Sequence, residues 1–342
     1  MKSALHRGRK ARSIGSLLLT GIIGAGSMTA AFAQTELRLL NAFDNRYPGT
    51  PLVVQKYVEA VKANSAGRVT IKVNGPEVVN AFEQFEPVAR GAFDLLFTVQ
   101  PYHIGTTSVS MGVYALTPDP ETWRKNGVFE FLDKEYQRHG LKLLSVISAT
   151  LPGVGAYQAL LKEPVAPGGD LKGRKLRGNR LYQPMIESLG ATVVTLQGGE
   201  VYPSLQKGVI DGVYWPILGA VDFKWYEQSK FMLRPRFGYS YHFLLMNLDR
   251  FNKLATADRQ VIEDEGRRQE VVGMKVLNER NEAELEDLKK FGMRETSLDA
   301  VHADAAYKVF VDGIWSTVLS SRATSEQAKA FHDLVKAKGL IN

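Results

Sequence analysis

The 342-residue chain is expected to be an α/β protein of two lobes connected by strands that pass between them. Three observations predict this. From Gly173 to Pro216 the sequence alternates strand, helix, strand, helix, strand, the order that builds parallel sheet with crossover helices. The earlier stretch from Glu36 to Ile147 repeats that alternation and is long enough to bury its own core. The apolar run Tyr241–Asn247 then reads as a strand crossing back, and a chain that changes lobe repeatedly has the anatomy of a hinge and cleft.

In order, the first unit reads as strand Leu37–Asn41, helix Leu52–Ala63 and strand Val69–Val73. That helix carries Val54, Tyr57, Val58 and Val61 on one face. A helix with Phe82, Phe85 and Val88 at helical spacing stops at Gly91, before the buried strand Phe93–Val99. Thr106–Thr117 is ambiguous. Pro120–His139 reads as one helix ended by Gly140, followed by strand Leu141–Ile147. Strand Gly155–Leu161 leaves this unit, and the Pro/Gly-rich stretch Pro164–Gly173 connects to the second.

The second unit is strand Lys175–Arg177, helix Tyr182–Leu189, strand Thr192–Leu196, helix Glu200–Lys207 and strand Val209–Trp215. After Tyr241–Asn247, Thr256 stands as N-cap of a helix running to about Phe291, roughly 54 Å long at 1.5 Å per residue. Val261, Ile262, Val272, Val276, Leu285 and Leu288 are spread along it without a sustained heptad, which argues against a coiled-coil arm. Helices near Ala300–Leu319 and Ser325–Lys338 close the chain.

The first 33 residues read as a leader rather than as part of the fold. Lys2, Arg7, Arg9, Lys10 and Arg12 precede the apolar Ile14–Ala25, and Ala31-Phe32-Ala33 is a small-x-small cleavage site before Gln34. Removing it takes five of 43 basic residues and none of 36 acidic ones, leaving a net charge of +2. The mature product therefore offers no case for nucleic acid or an anionic membrane as partner. The chain has no cysteine, which excludes thiol catalysis, thiolate metal sites and disulfides.

Motifs for catalysis fail in turn. Gly238-Tyr-Ser240-Tyr-His242 lacks the second glycine of a nucleophile elbow, and Gly168–Lys175 lacks the Lys-Ser/Thr of a phosphate loop. His6, His103, His139, His242, His302 and His332 are scattered without metal spacing. Neither metal nor cofactor is expected, and recognition is the remaining reading. Ligands in such sheets sit beyond the carboxyl ends of strands. Arg177 ends one strand there, and a guanidinium can give two parallel hydrogen bonds to a carboxylate. Tyr214 and Trp215 end another, with one of the two rings expected in the cleft. Phe43, Gln100 and His242 lie in or after strands and loops that should face it. Glu200, at a helix start, and Asp211 are expected to serve structure.

This stretch resembles the solute receptors of TRAP (tripartite ATP-independent periplasmic) transporters, which include dicarboxylate-binding proteins. The match is Gly173-x-Lys175-x-Arg177, Leu189-Gly190-Ala191, then Glu200-x-Tyr202-x-x-Leu205-Gln206-x-Gly208-x-x-Asp211-Gly212, with weaker likeness over the mature chain. The resemblance implies a two-lobed periplasmic binding protein fold with hinge strands and a long C-terminal helix backing both lobes. Lobe I would hold 34–154 and 247–280, and lobe II 155–246 and 281–342. It also implies that Arg177 holds the carboxylate of a small organic acid delivered to an ion-coupled permease. An ATP-driven importer or a sensor kinase is the other partner such a receptor could serve, and an exported α/β enzyme acting on a carboxylate is the rival reading. Two departures bear on the ligand. Some members carry a second arginine where this chain has Tyr157, and a polar pair is replaced by Tyr214-Trp215. Both changes favour a monocarboxylate with an apolar or aromatic body.

Overall fold

The computed structural model describes residues 34–320 and 325–341, so the leader read over 1–33 lies outside the described residues. Residues 34–342 form one compact unit built on two sheets. The first sheet has the order β2-β1-β3-β10-β4, from β1 (Thr35–Asn41), β2 (Val69–Asn74), β3 (Leu95–Thr98), β10 (Tyr241–Asn247) and β4 (Leu141–Ser148). The second has the order β11-β9-β5-β8-β6-β7, from β11 (Arg294–Ser297), β9 (Phe231–Arg234), β5 (Tyr157–Leu161), β8 (Gly212–Pro216), β6 (Lys175–Gly178) and β7 (Thr192–Thr195). In each sheet the strands of the strand–helix units run parallel, β1 with β2 and β3, and β6 with β7 and β8. The strands next to a lobe crossing, β10 and β5, pair antiparallel with their neighbours.

The chain crosses between sheets at 149–156 and at 235–240. The crossings are laced together: Ala149 N–H donates to Ser240 O at 2.9 Å, and Ser240 N–H donates to Thr150 Oγ1 at 2.8 Å. Gly155 has φ +82°, and a Cβ there would lie 2.9 Å from Phe237 N, so only glycine lets the two connections approach this closely. β10 lies wholly in the first sheet, which moves the lobe boundary drawn at 246 back to 235–240.

Several elements differ from expectation. The single helix over Pro120–His139 is two, α3 (Pro120–Lys125) and α4 (Val128–Gln137), because Gly127 takes φ +81°. The ambiguous 106–117 stretch contains a 3-10 helix, Val109–Ala115. A π-helical turn, Thr50–Val54, leads into α1 (Gln55–Asn64). Helix α2 (Phe85–Ala89) begins after Phe82. Helices α5 (Gln183–Ser188), α6 (Gly198–Gln206) and α7 (Leu248–Lys253) complete the set before the long helix.

Helix α8 (Thr256–Lys290) has Ala255, not Thr256, at its N-cap. Its buried stripe is partly polar, which explains why the apolar residues alone looked scattered and why Val272 is exposed. Against the first lobe, Glu270 accepts from Arg124 Nε at 2.6 Å and Val146 N at 3.2 Å. At the crossing, Asn281 Nδ2 donates to Ala149 O at 3.1 Å. Against the second lobe, Glu284 accepts from Gly219 N at 2.8 Å and Val221 N at 2.7 Å. The helix thus backs both lobes by named hydrogen bonds. The C-terminal helices are shared as well. α9 (Ala300–Ser320) packs on α5 and on the 3-10 helix of the first lobe, and α10 (Ser325–Ala337) packs on α4. Assigning everything after 281 to lobe II is therefore too simple. Two apolar cores run through the molecule, and each draws from both sheets: Leu40 and Leu176 in one, Leu39 and Val213 in the other.

Candidate functional site

Arg177 lies near the end of β6 and is fully buried. Its Nε donates to Leu196 O at 2.9 Å, and Nη1 donates to Tyr182 Oη at 3.0 Å and Tyr214 O at 3.3 Å. Nη2 donates to Tyr102 Oη at 3.4 Å, across from the first lobe. The guanidinium carbon stands 4.3 Å from the Trp215 ring centroid. Among the described residues no carboxylate comes within ion-pair distance of Arg177. A charge taken out of water is costly without a counter-charge. Neutral carbonyls, phenols and one indole face meet this cation only in part, so the site is suited to an anion from outside.

The groups around it are neutral. Burial pushes the Tyr182 phenol up to about 12 and raises Tyr102 despite the cation beside it, so both serve as hydroxyl donors or acceptors. His242 projects from β10, and its Nε2 lies 2.7 Å from Tyr47 Oη. Burial pushes its pKa down to about 4, so it adds no second positive charge near neutral pH. Aromatic rings fill the rest. Phe43 stacks on Tyr47 at 4.2 Å and stands edge-on to Trp215 at 6.4 Å, while Tyr157 and Tyr182 lie 5.3 Å apart. These side chains enclose a cavity of about 20 Å³, room for about one water.

Of the expected site residues, Arg177, Trp215, Tyr157, Phe43 and His242 line this cavity. Tyr214 and Gln100 do not. Successive side chains of a strand point to opposite faces. With Trp215 in the cleft, the Tyr214 ring turns to the other side, where it packs on Tyr182 and Phe237 and borders a groove beneath α9. Only its carbonyl reaches Arg177. Gln100 begins a 3-10 turn that swings its side chain away, and its Nε2 donates to Thr107 O at 2.8 Å. Tyr47, Tyr102 and Tyr182 were not anticipated. Each lies in the segment that follows β1, β3 or β6, Tyr102 at the end of the 3-10 turn Gln100–Tyr102, and these strand ends had already pointed to Phe43, Gln100 and Arg177. Asn179 also lines the cavity, and its Oδ1 accepts from Leu181 N at 3.0 Å, fixing the turn after β6. Glu200 closes a capping box with Gln197 at the start of α6, and Asp211 Oδ2 accepts from Lys175 N at 2.8 Å, both structural roles as expected.

Two α/β lobes with laced crossings, and a buried cation without its own acid between them, define a bilobal solute receptor. The chain belongs to the bacterial extracellular solute-binding protein family 7, whose model matches residues 50–315. It is thereby a solute receptor of the TRAP transporter type, and the family binds rather than transforms its ligands. A solute-binding protein of Albidiferax ferrireducens is 25% identical over 71% of this chain and 75% of its own length. Among solved structures, DctP7, a Bordetella pertussis extracytoplasmic solute receptor binding pyroglutamic acid, has a TM-score of 0.75 at 19% identity, covering 87% of this chain and 99% of its own. A TRAP periplasmic solute-binding protein of Rhodoferax ferrireducens with bound malonate has a TM-score of 0.73 at 19% identity, covering 90% and 100%. No helix among the described residues is long and apolar enough to cross a membrane.

Proposed function

We propose that the cleft binds a small monocarboxylate, with its carboxylate on Arg177 and its apolar or aromatic body against Trp215, Phe43 and the surrounding tyrosines. The loaded receptor delivers it to an ion-coupled TRAP permease from the periplasm, the leader over 1–33 having been removed. The observation that carries this reading is Arg177, a fully buried guanidinium bonded only to neutral groups. It is the one permanent cation among the residues lining the cavity, since His242 is neutral and Tyr157 occupies the place of a second arginine. A second carboxylate would be buried without a partner, at a cost of several kcal/mol. Pyroglutamate in one fold relative and malonate in another support an acid ligand and leave the number of carboxylates to the lining residues. Because the present cavity has room for about one water, entry requires the lobes to open about 149–156 and 235–240.

A thermal-shift screen of organic acids tests this. At a hundredfold excess over Kd a ligand adds about 2.7 kcal/mol of stability. Benzoate-like or branched 2-oxo acids should raise the melting temperature, and succinate and malate should not. Stabilisation by the dicarboxylates alone would overturn the reading.

A further inference from the structure

The cleft has a second chamber. At its rim a cavity of about 250 Å³ is bordered by Phe43, Glu77, Glu200, Gly198 and Phe223. Phe43 also lines the inner cavity of about 20 Å³, and so is shared by both. Phe43 thus stands where the cavity of the buried cation and a larger, more open space adjoin. Its backbone is pinned by Phe43 N–H donating to Asn41 Oδ1 at 3.1 Å, and the ring is held by its stack on Tyr47.

We propose that Phe43 is the length gauge of the site, an inference that rests on the monocarboxylate reading above. With the carboxylate anchored on Arg177, the Phe43 ring ends the space open to the ligand body. Without that ring the body runs on into the rim chamber. Phe223 gives that chamber an apolar wall, and Gly198 keeps the space beside it open, since a Cβ on Gly198 would stand 3.2 Å from both Phe223 and Trp215. The chamber is acidic on balance: Asp44, Glu77 and Glu200 border it, and Arg46, beside Gly199 and over the Phe223 ring, is already paired with Asp44 at 2.7 Å. Glu77 and Glu200 have no ion-pair partner among the described residues, and Glu200 already accepts Gln197 N–H at 2.8 Å at the positive end of α6. The extended site therefore takes a longer monocarboxylate with an apolar tail and rejects a carboxylate at the far end.

The experiment is calorimetry of the wild type, Phe43→Leu and Phe43→Ala against straight-chain acids from butanoate to octanoate, with octanedioate and benzoate alongside. In the wild type, affinity should stop rising and then fall as methylenes are added. In Phe43→Ala each added methylene should raise affinity by up to about fourfold, the value of burying one CH₂. Phe43→Leu should lie between and carries the test if the alanine variant does not fold. Octanedioate should gain nothing. Equal dependence on chain length in all three proteins overturns the gauge while leaving the monocarboxylate reading intact. If no straight-chain acid binds any of the three while benzoate does, the gauge fails alone; if benzoate fails as well, the monocarboxylate reading falls with it.

Discussion

Replacing Arg177 by alanine should cripple binding and spare the fold. The guanidinium makes four hydrogen bonds, to Leu196 O, Tyr182 Oη, Tyr214 O and Tyr102 Oη, and three of them are 3.0 Å or longer. Each contributes about 1 kcal/mol net, and losing them leaves carbonyls and phenols short of donors. Removing an unpaired buried cation relieves a desolvation penalty of several kcal/mol. These effects oppose one another, so the ligand-free melting temperature should move by only a few degrees. Binding has no such compensation, because the ligand carboxylate would then enter a cleft with no cation. Truncating one partner of a buried charge pair costs about 2–5 kcal/mol, a loss of roughly 30- to 4,000-fold in affinity. Arg177→Lys should fall between, since an ammonium cannot reproduce the planar fork. Calorimetry on ligand-free protein with matched melting curves reads this out. Wild-type affinity in Arg177→Ala, or a variant that fails to fold, would refute the assignment of Arg177 to ligand rather than to structure.

Trp215→Ala should weaken binding of an aromatic acid more than that of a small aliphatic one, because an aromatic pair contributes about 0.5–1.5 kcal/mol beyond burial; equal losses for both ligands would take the ring off the ligand. His242 and His103 are buried with pKa values pushed down to about 4 and about 3, whereas the unfolded chain takes up protons near 6.5. Stability from these groups should fall as pH drops from about 6.5 towards 4, and His242→Asn should flatten part of that fall in melting temperature. Burial pushes Glu284 up to about 7 and acts oppositely between about 4.5 and 7, so the readout is the difference between wild type and variant, and identical slopes would contradict it. Small-angle scattering should show a smaller radius of gyration at ligand saturation, whereas superimposable curves would argue against opening about the crossings. N-terminal sequencing of periplasmic protein should begin at Gln34, and a retained leader would contradict export with cleavage.

The alternation of strand and helix is a local property, so both sheets and nearly every strand of the strand–helix units were legible in the sequence. Arg177 stood out as a long cation at a strand end inside the motif that carries the family resemblance, and the structure places it in the lining of the inner cavity. The choice between Tyr214 and Trp215 depended on which face of β8 meets the cleft, and that is set by its pairing with β5, Trp215 opposite Gln158. Gln100 was misplaced because a 3-10 turn, with Pro101 in its first positions, carries its side chain away from the cleft. Tyr47, Tyr102 and Tyr182 converge only through tertiary closure. β9 and β11 escaped notice as four-residue strands that pair with one another, β11 being the polar Arg294–Ser297. The buried face of α8 was hidden because Glu270, Asn281 and Glu284 occupy positions that an apolar pattern would have shown.

The most direct test is a crystal structure of the protein with the acid that stabilises it best. The carboxylate should sit on Arg177 in a two-pronged pair at about 2.7–2.9 Å, with the body between Trp215 and Phe43. A ligand seated elsewhere, or in the cleft with its carboxylate away from Arg177 and that guanidinium still bonded to Leu196, Tyr182, Tyr214 and Tyr102 alone, would contradict the account.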